Sequence, residues 1–193
     1  MLRYHNLKSK RGFTLVEMLV AIFIFSLVIS VTVALFTSGL REQRNALSAQ
    51  QLLNQTSFTL EYMSRALRMA LKQDPILGRC LSQDGSNYEI VSSSRLRFIN
   101  HLENDDCQEF FLEDGQLKQN KNNLAETVFL TSDKLKVNQL QFNLRGQGQP
   151  PSDTDQPRVT LSLEIEGRGF SSGSAPKLHI QTTISQRNLD VQQ

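Results

Sequence analysis

The amino-acid sequence predicts an α+β chain in which a long N-terminal helix packs on an antiparallel β-sheet. Three observations carry this. An apolar run from Phe13 to Phe36 passes without a break into a helical pattern that lasts to Gln73. From Tyr88 onward the apolar period shortens from 3.6 residues to 2. Asp74-Pro75 stands between the two regimes, where proline closes a helix. At 193 residues the chain has room for one domain and an appendage.

The first twelve residues, MLRYHNLKSKRG, hold Arg3, Lys8, Lys10 and Arg11 and no acid. Removing those four from the formal charge of +2 leaves the remainder at −2. Basicity therefore sits in the tail, and nucleic-acid binding by the body is not expected. The 24 residues from Phe13 to Phe36 carry one charge, Glu17. About 20 apolar residues span a bilayer as a helix, and this run is longer. Bases directly ahead of such a run favour a cytoplasmic N-terminus, so residues beyond about Thr37 are expected on the extracytoplasmic side. A mean hydropathy of −0.33 hides this division. Hydropathy alone describes a retained signal anchor, with a membrane-anchored extracytoplasmic binding module as the matching function. It leaves Glu17 unexplained, because a lone carboxylate in hydrocarbon is costly.

The segment KRGFTLVEMLVAIFIFSLV resembles the N-terminus of type IV pilins and of the pseudopilins of type II secretion systems. Gly12, Phe13, Thr14, Leu15, Glu17 and the apolar residues through Val33 fit that pattern. The resemblance is close over roughly residues 8–40 and architectural beyond. It implies that a prepilin peptidase cuts between Gly12 and Phe13 and methylates the new amine of Phe13. Glycine ahead of the bond permits a protease to approach the backbone, and the basic leader 1–12 holds the bond at the anionic membrane surface. The resemblance further implies that Glu17 serves filament assembly, pairing with the terminal amine of a neighbouring subunit. Within one chain Glu17 lies four residues from Phe13, one turn along the same helix face. The implied partners are other major and minor pilins or pseudopilins, an inner-membrane assembly platform and membrane lipid. The size of the mature chain is similar to W-type minor pilins and J-type minor pseudopilins, which initiate or cap a filament. The presence of Glu17 argues against the K-type subunit.

Residues 37–73 read as an amphipathic continuation of the membrane segment 13–36. Apolar or small side chains recur at Ala46, Ala49, Leu53, Thr56, Leu60, Met63, Leu67 and Ala70 or Leu71, the spacing of one helical face. Arg44, Gln51, Asn54, Glu61, Arg65 and Arg68 occupy the other face. A helix from Phe13 to Gln73 would be roughly 90 Å long, with a kink expected near Gly39.

The remainder, 74–193, reads as a β-rich extracytoplasmic domain. SRLRFINH alternates Leu96 and Phe98 with Arg95 and Arg97, which puts His101 on the wet face. QEFFLEDGQLKQ contains Asp114-Gly115, a hairpin signal. KLKVNQLQFNLRG changes parity between Val137 and Leu140, as at a bulge. RVTLSLEIEG and KLHIQTTIS alternate cleanly, as antiparallel strands with one buried face do. The buried face is expected to meet the stripe of the helix.

Cys80 and Cys107 lie in a region where disulfides persist. A bond between them and two free thiols both satisfy the sequence. A metal site is disfavoured, since neither cysteine belongs to a CxxC or has histidines at ligand spacing. Loops 146–157 and 167–176 are rich in Gly, Pro and Ser, as exposed turns are, and such loops can carry partner specificity. Asp153 and Asp155 in the first loop read as solvated rather than as cation ligands. His5, His101 and His179 are scattered, and no phosphate loop, GxSxG or HExxH occurs. The chain is expected to be a structural subunit, not an enzyme, and to need no cofactor.

Overall fold

The computed structural model describes residues 12–74, 79–147, 155–168 and 175–187. The chain divides into two units, Met1–Ala46 and Leu47–Gln193. One helix, α1 (Leu15–Arg68), contributes to both and continues through Gly39. In the first unit its apolar side chains are exposed, and the helix is long and apolar enough to cross a membrane. The hydroxyls in this stretch turn inward on the backbone. Ser26 donates to Ile22 O at 2.8 Å, Ser30 to Ser26 O at 2.8 Å and Thr32 to Val28 O at 2.7 Å. No hydroxyl among these three needs a partner from outside the helix.

In the second unit α1 buries Leu52, Thr56, Thr59, Met63, Ala66 and Leu67. The intervals of three and four are those expected, but the stripe is rotated. Leu53 is 49% exposed, Ala46 is exposed and Leu60 is half-buried. Adjacent leucines at 52 and 53 leave the phase ambiguous in sequence, and packing resolves it in favour of Leu52. Tyr62 anchors the same helix by donating to Gln119 Oε1 at 2.8 Å, and Gln119 in turn donates to Gln108 Oε1 at 3.2 Å.

The helix ends at Arg68, five residues before the expected Gln73, and Ala70–Leu71 form a short strand, β1. The reason is tertiary. The last carbonyls of a helix lack internal partners, and here donors from elsewhere in the unit take the last two of α1 and the two that follow. Tyr88 Oη reaches Leu67 O at 2.6 Å, Arg187 N reaches Arg68 O at 2.8 Å, His101 N reaches Met69 O at 3.2 Å and Gln186 Nε2 reaches Ala70 O at 2.7 Å. Pro75 lies outside the described residues.

The β-structure forms two antiparallel sheets rather than one. The first comprises β1, β2 (Tyr88–Ser92), β3 (Arg95–Asn100), β4 (Asp106–Glu113), β5 (Gln116–Lys121) and β6 (Glu126–Phe129). Strands β3 to β6 follow one another across it, and β1 and β2 both pair with β3. The second comprises β7 (Leu135–Arg145), β8 (Arg158–Gly167) and β9 (Lys177–Ser185) in that order. Asp114 and Gly115 both have positive φ in the β4–β5 turn, the conformation a two-residue hairpin favours. The register shift in β7 falls between Val137 and Gln139, where the parity change predicts it. Gly146, just past β7, has φ +67° and would set a Cβ 2.7 Å from Gln156 O, so only glycine fits there.

The inner faces of both sheets and α1 share one core. Met63 and Leu67 meet Tyr88, Phe98 and Phe110 from the first sheet, and Val159, Leu161, Leu163 and Ile165 from β8. Each such side chain contributes roughly 1.5–3 kcal/mol on burial. His101 is exposed as expected, but it opens a 3₁₀ turn (His101–Glu103) rather than ending a strand. Cys80 and Cys107 form a disulfide with Cα atoms 5.5 Å apart, tying the segment after β1 to the start of β4.

Candidate functional site

Gly12 and Phe13 precede the first turn of α1 in irregular, exposed backbone. Among the described residues nothing lies within 4 Å of where a Gly12 Cβ would stand, and Phe13 is 83% exposed. The Gly12–Phe13 bond is therefore open to an approaching enzyme. The four basic residues Arg3, Lys8, Lys10 and Arg11 lie outside the described residues.

The helix start immediately follows, and Thr14 and Glu17 build it. Glu17 N donates to Thr14 Oγ1 at 3.3 Å. In return Thr14 N and Thr14 Oγ1 donate to Glu17 Oε2 at 2.9 Å and 3.1 Å. This is a capping box, in which a hydroxyl and an acid three residues on satisfy each other's backbone donors. An anion is further favoured there by the partial positive charge of the helix N-terminus. The carboxylate is thus bonded within its own chain, although it sits in a run of apolar residues. Both of its bonds fall on Oε2, and Oε1 accepts none among the described residues. Sequence reasoning paired Glu17 with the Phe13 nitrogen and missed Thr14 as its partner. The pattern Thr-x-x-Glu at 14–17 carries that signal.

The second unit has a charged array on the outer face of the first sheet. Glu109, 2% exposed, receives Arg95 at 3.0 Å and Arg97 at 2.7 Å, and Asn120 donates to it at 3.2 Å. Arg97 also stands 3.5 Å from Glu89 on β2, and Thr127 on β6 donates to Asn120 at 2.7 Å. One polar row therefore crosses five strands. The neighbouring row alternates cations and rings: Arg95 lies 4.1 Å from the Phe111 ring centre, and Lys118 Nζ lies 5.1 Å from that of Phe129. Lys118 pairs with Glu113 at 2.7 Å, and that hydrogen bond holds the Glu113 carboxyl below the usual carboxylate range and raises the Lys118 ammonium. Each charge is matched by its neighbours, so the array binds the strands to one another rather than presenting a reactive group.

Among the described residues the remaining candidates do not converge. His101 pairs with Asp105 at 2.8 Å and His179 is exposed on β9, while His5 lies outside the described residues. Asp155 stands 3.6 Å from Arg158, and Asp153 lies outside the described residues. Among the described residues no group of three or more His, Cys, Asp or Glu side chains could hold a metal ion.

Residues 7–33 match the family model described as the prokaryotic N-terminal methylation motif. No curated protein matches the chain, and no solved structure does. The motif, with the apolar helix that overlaps it and the α+β fold that follows, is consistent with a type IV pilin-like protein carrying a single-pass membrane anchor.

Proposed function

We propose that this chain is a minor pilin or pseudopilin, a structural subunit that a prepilin peptidase processes between Gly12 and Phe13. Hydrolysis gives a Gly12 carboxylate on the leader and a free amine on Phe13, and the same enzyme transfers a methyl group to that amine from an electrophilic methyl donor, which leaves demethylated as the amine gives up a proton. The observation that carries the reading is the methylation motif at 7–33, set on an exposed Gly12–Phe13 bond at the start of a membrane-length helix. The cut leaves the capping box whole, because Thr14 and Glu17 both lie downstream of it. The four leader bases favour a cytoplasmic N-terminus, and the Cys80–Cys107 disulfide suits an extracytoplasmic domain.

In the assembled state Glu17 has two tasks for two oxygens. Oε2 caps its own helix, and Oε1 accepts the methylated amine of a neighbouring subunit. That contact sets the register in which the helix joins the filament, with an inner-membrane platform and other pilins as partners. The size of the mature chain and the resemblance to W-type and J-type subunits support a place where the filament starts or is capped. A direct test is to co-express the chain with a prepilin peptidase and a cognate set of pilins, then to shear and sediment surface filaments. The chain is expected in the filament fraction at low copy. Retention in the membrane fraction alone contradicts the reading.

A further inference from the structure

Strand β9 is the outer strand of its sheet. It pairs with β8 in unbroken register from Arg158↔Ser185 to Glu166↔Lys177, and among the described residues no strand lies on its other side. An open edge leaves the N–H and C=O of alternate residues unpaired, and folded proteins blunt such edges with proline, bulges, inward charges or brevity. Two of the other edges in this unit are managed. β6 has four residues, and β7 is met by the first sheet through Phe142 N to Ser93 O at 3.2 Å and Val137 N to Gly115 O at 2.8 Å. β9 has nine residues, no proline, no glycine and no register shift. Its one lysine, Lys177, stands at the first position and pairs with Glu166 at 3.3 Å.

A groove of about 750 Å³ runs beside the C-terminal half of β9, between it and the end of α1. Arg65, Arg68 and Arg187 line it together with Glu61, and with Thr183 and Ser185 of β9. Arg65 is matched by Glu61 at 2.8 Å. Arg68 and Arg187 are exposed, and no acidic group pairs with either among the described residues. The bond from Arg187 N to Arg68 O at 2.8 Å holds these two residues side by side. An open backbone edge therefore adjoins two guanidinium groups unmatched among the described residues, and such groups favour carboxylates in forked geometry.

We propose that the β9 edge and this arginine groove bind an extended acidic segment of a partner protein, which adds to β9 as a further strand and sets its carboxylates on Arg68 and Arg187. Alternate side chains of a strand share one face, so acids at every second position would meet the arginines while the backbone pairs with β9. The surface lies wholly in the unit Leu47–Gln193 and is independent of processing at Gly12–Phe13 and of Glu17.

The test uses the full chain in detergent micelles and a labelled peptide of alternating valine and glutamate, about eight residues long, within the usual range for a strand. Binding is read by fluorescence anisotropy and by amide exchange over residues 177–185. The peptide is expected to bind and to slow exchange in that stretch. A peptide of equal charge with central prolines should bind at least about tenfold more weakly, as should the wild-type peptide to the Arg68→Glu/Arg187→Glu variant, whose thermal unfolding verifies the fold. No binding overturns the proposal. So does equal binding of the proline peptide, which would show attraction without strand addition. Preferential binding of duplex DNA or phosphatidylglycerol vesicles, lost in the same double variant, would assign the groove to a polyanion instead. Self-association of the chain through residues 177–185 without peptide would assign it to a second copy.

Discussion

Thr14 and Glu17 satisfy one another at the start of α1, and both bonds to the carboxylate fall on the same oxygen, Oε2. Capping and charge are therefore separable properties of one side chain. Glutamine serves a capping box as well as glutamate does, but it carries no charge to attract an amine.

Three variants exploit this. Thr14→Ala should loosen the first turn by about 0.5–2 kcal/mol and leave incorporation into filaments largely intact. Glu17→Gln should keep the first turn ordered and lose incorporation, and Glu17→Ala should lose both. Amide exchange at residues 14–18 in micelles reads the cap, and filament recovery reads assembly. Full incorporation of Glu17→Gln would show that capping, not charge, is what the acid contributes.

Reducing the Cys80–Cys107 bond, or replacing both cysteines with serine, should destabilise the second unit. The bond spans a sequence separation of 27, for which loop closure in the chain-entropy model is worth about 3–4 kcal/mol. Denaturant unfolding with and without reductant measures it. The double serine variant should be insensitive to reductant.

Glu109 receives two guanidinium groups at a position 2% exposed. Glu109→Ala leaves both arginines without that partner and should cost about 3 kcal/mol, the lower end of the range for breaking a buried pair, because the arginines themselves reach solvent. Arg95→Ala should cost less, since Arg97 keeps the carboxylate matched. Equal losses in chemical denaturation would contradict the network as drawn.

The Glu113–Lys118 pair gives a pH dependence with a definite sign. The folded carboxyl titrates below its ordinary 4.5, chiefly through its hydrogen bond from Lys118. The contribution is therefore present above that value and lost as pH falls through the lower folded value. The ammonium titrates above its ordinary 10.5, so its share is present at and below that value and lost only in strong alkali. Glu113→Gln should narrow its stability difference from wild type as pH drops below 4.5. A difference that stays constant through that window would exclude the pair as its source.

The parts of the fold that sequence reveals are those set by local pattern. Clean alternation marks β8 and β9, Asp114-Gly115 marks the β4–β5 hairpin, and the parity change marks the shift in β7. Features set by distant partners were not legible. The end of α1 is decided by donors from Tyr88, His101, Gln186 and Arg187, while residues 69–73 read locally as more helix. β6 escaped notice because its four residues are mostly exposed and do not alternate. The division into two sheets depends on which strands pair, and alternation does not encode pairing. At the candidate site the sequence marks Gly12, Phe13 and Glu17 through their resemblance to a known motif. The Thr14 cap was readable too, as Thr-x-x-Glu, but a charge-centred view of Glu17 passed over it. The burial of Glu109 follows only from the register that sets Arg97 opposite it.

The proposed function stands or falls on removal of the first twelve residues as a leader. Intact-mass spectrometry of the chain co-expressed with a prepilin peptidase tests it most directly, with the chain expressed alone as reference. The expected product begins at Phe13 and carries one added methyl group, formed only when the peptidase is present. A chain that keeps Met1–Gly12 under conditions where a known prepilin is fully cut would contradict it.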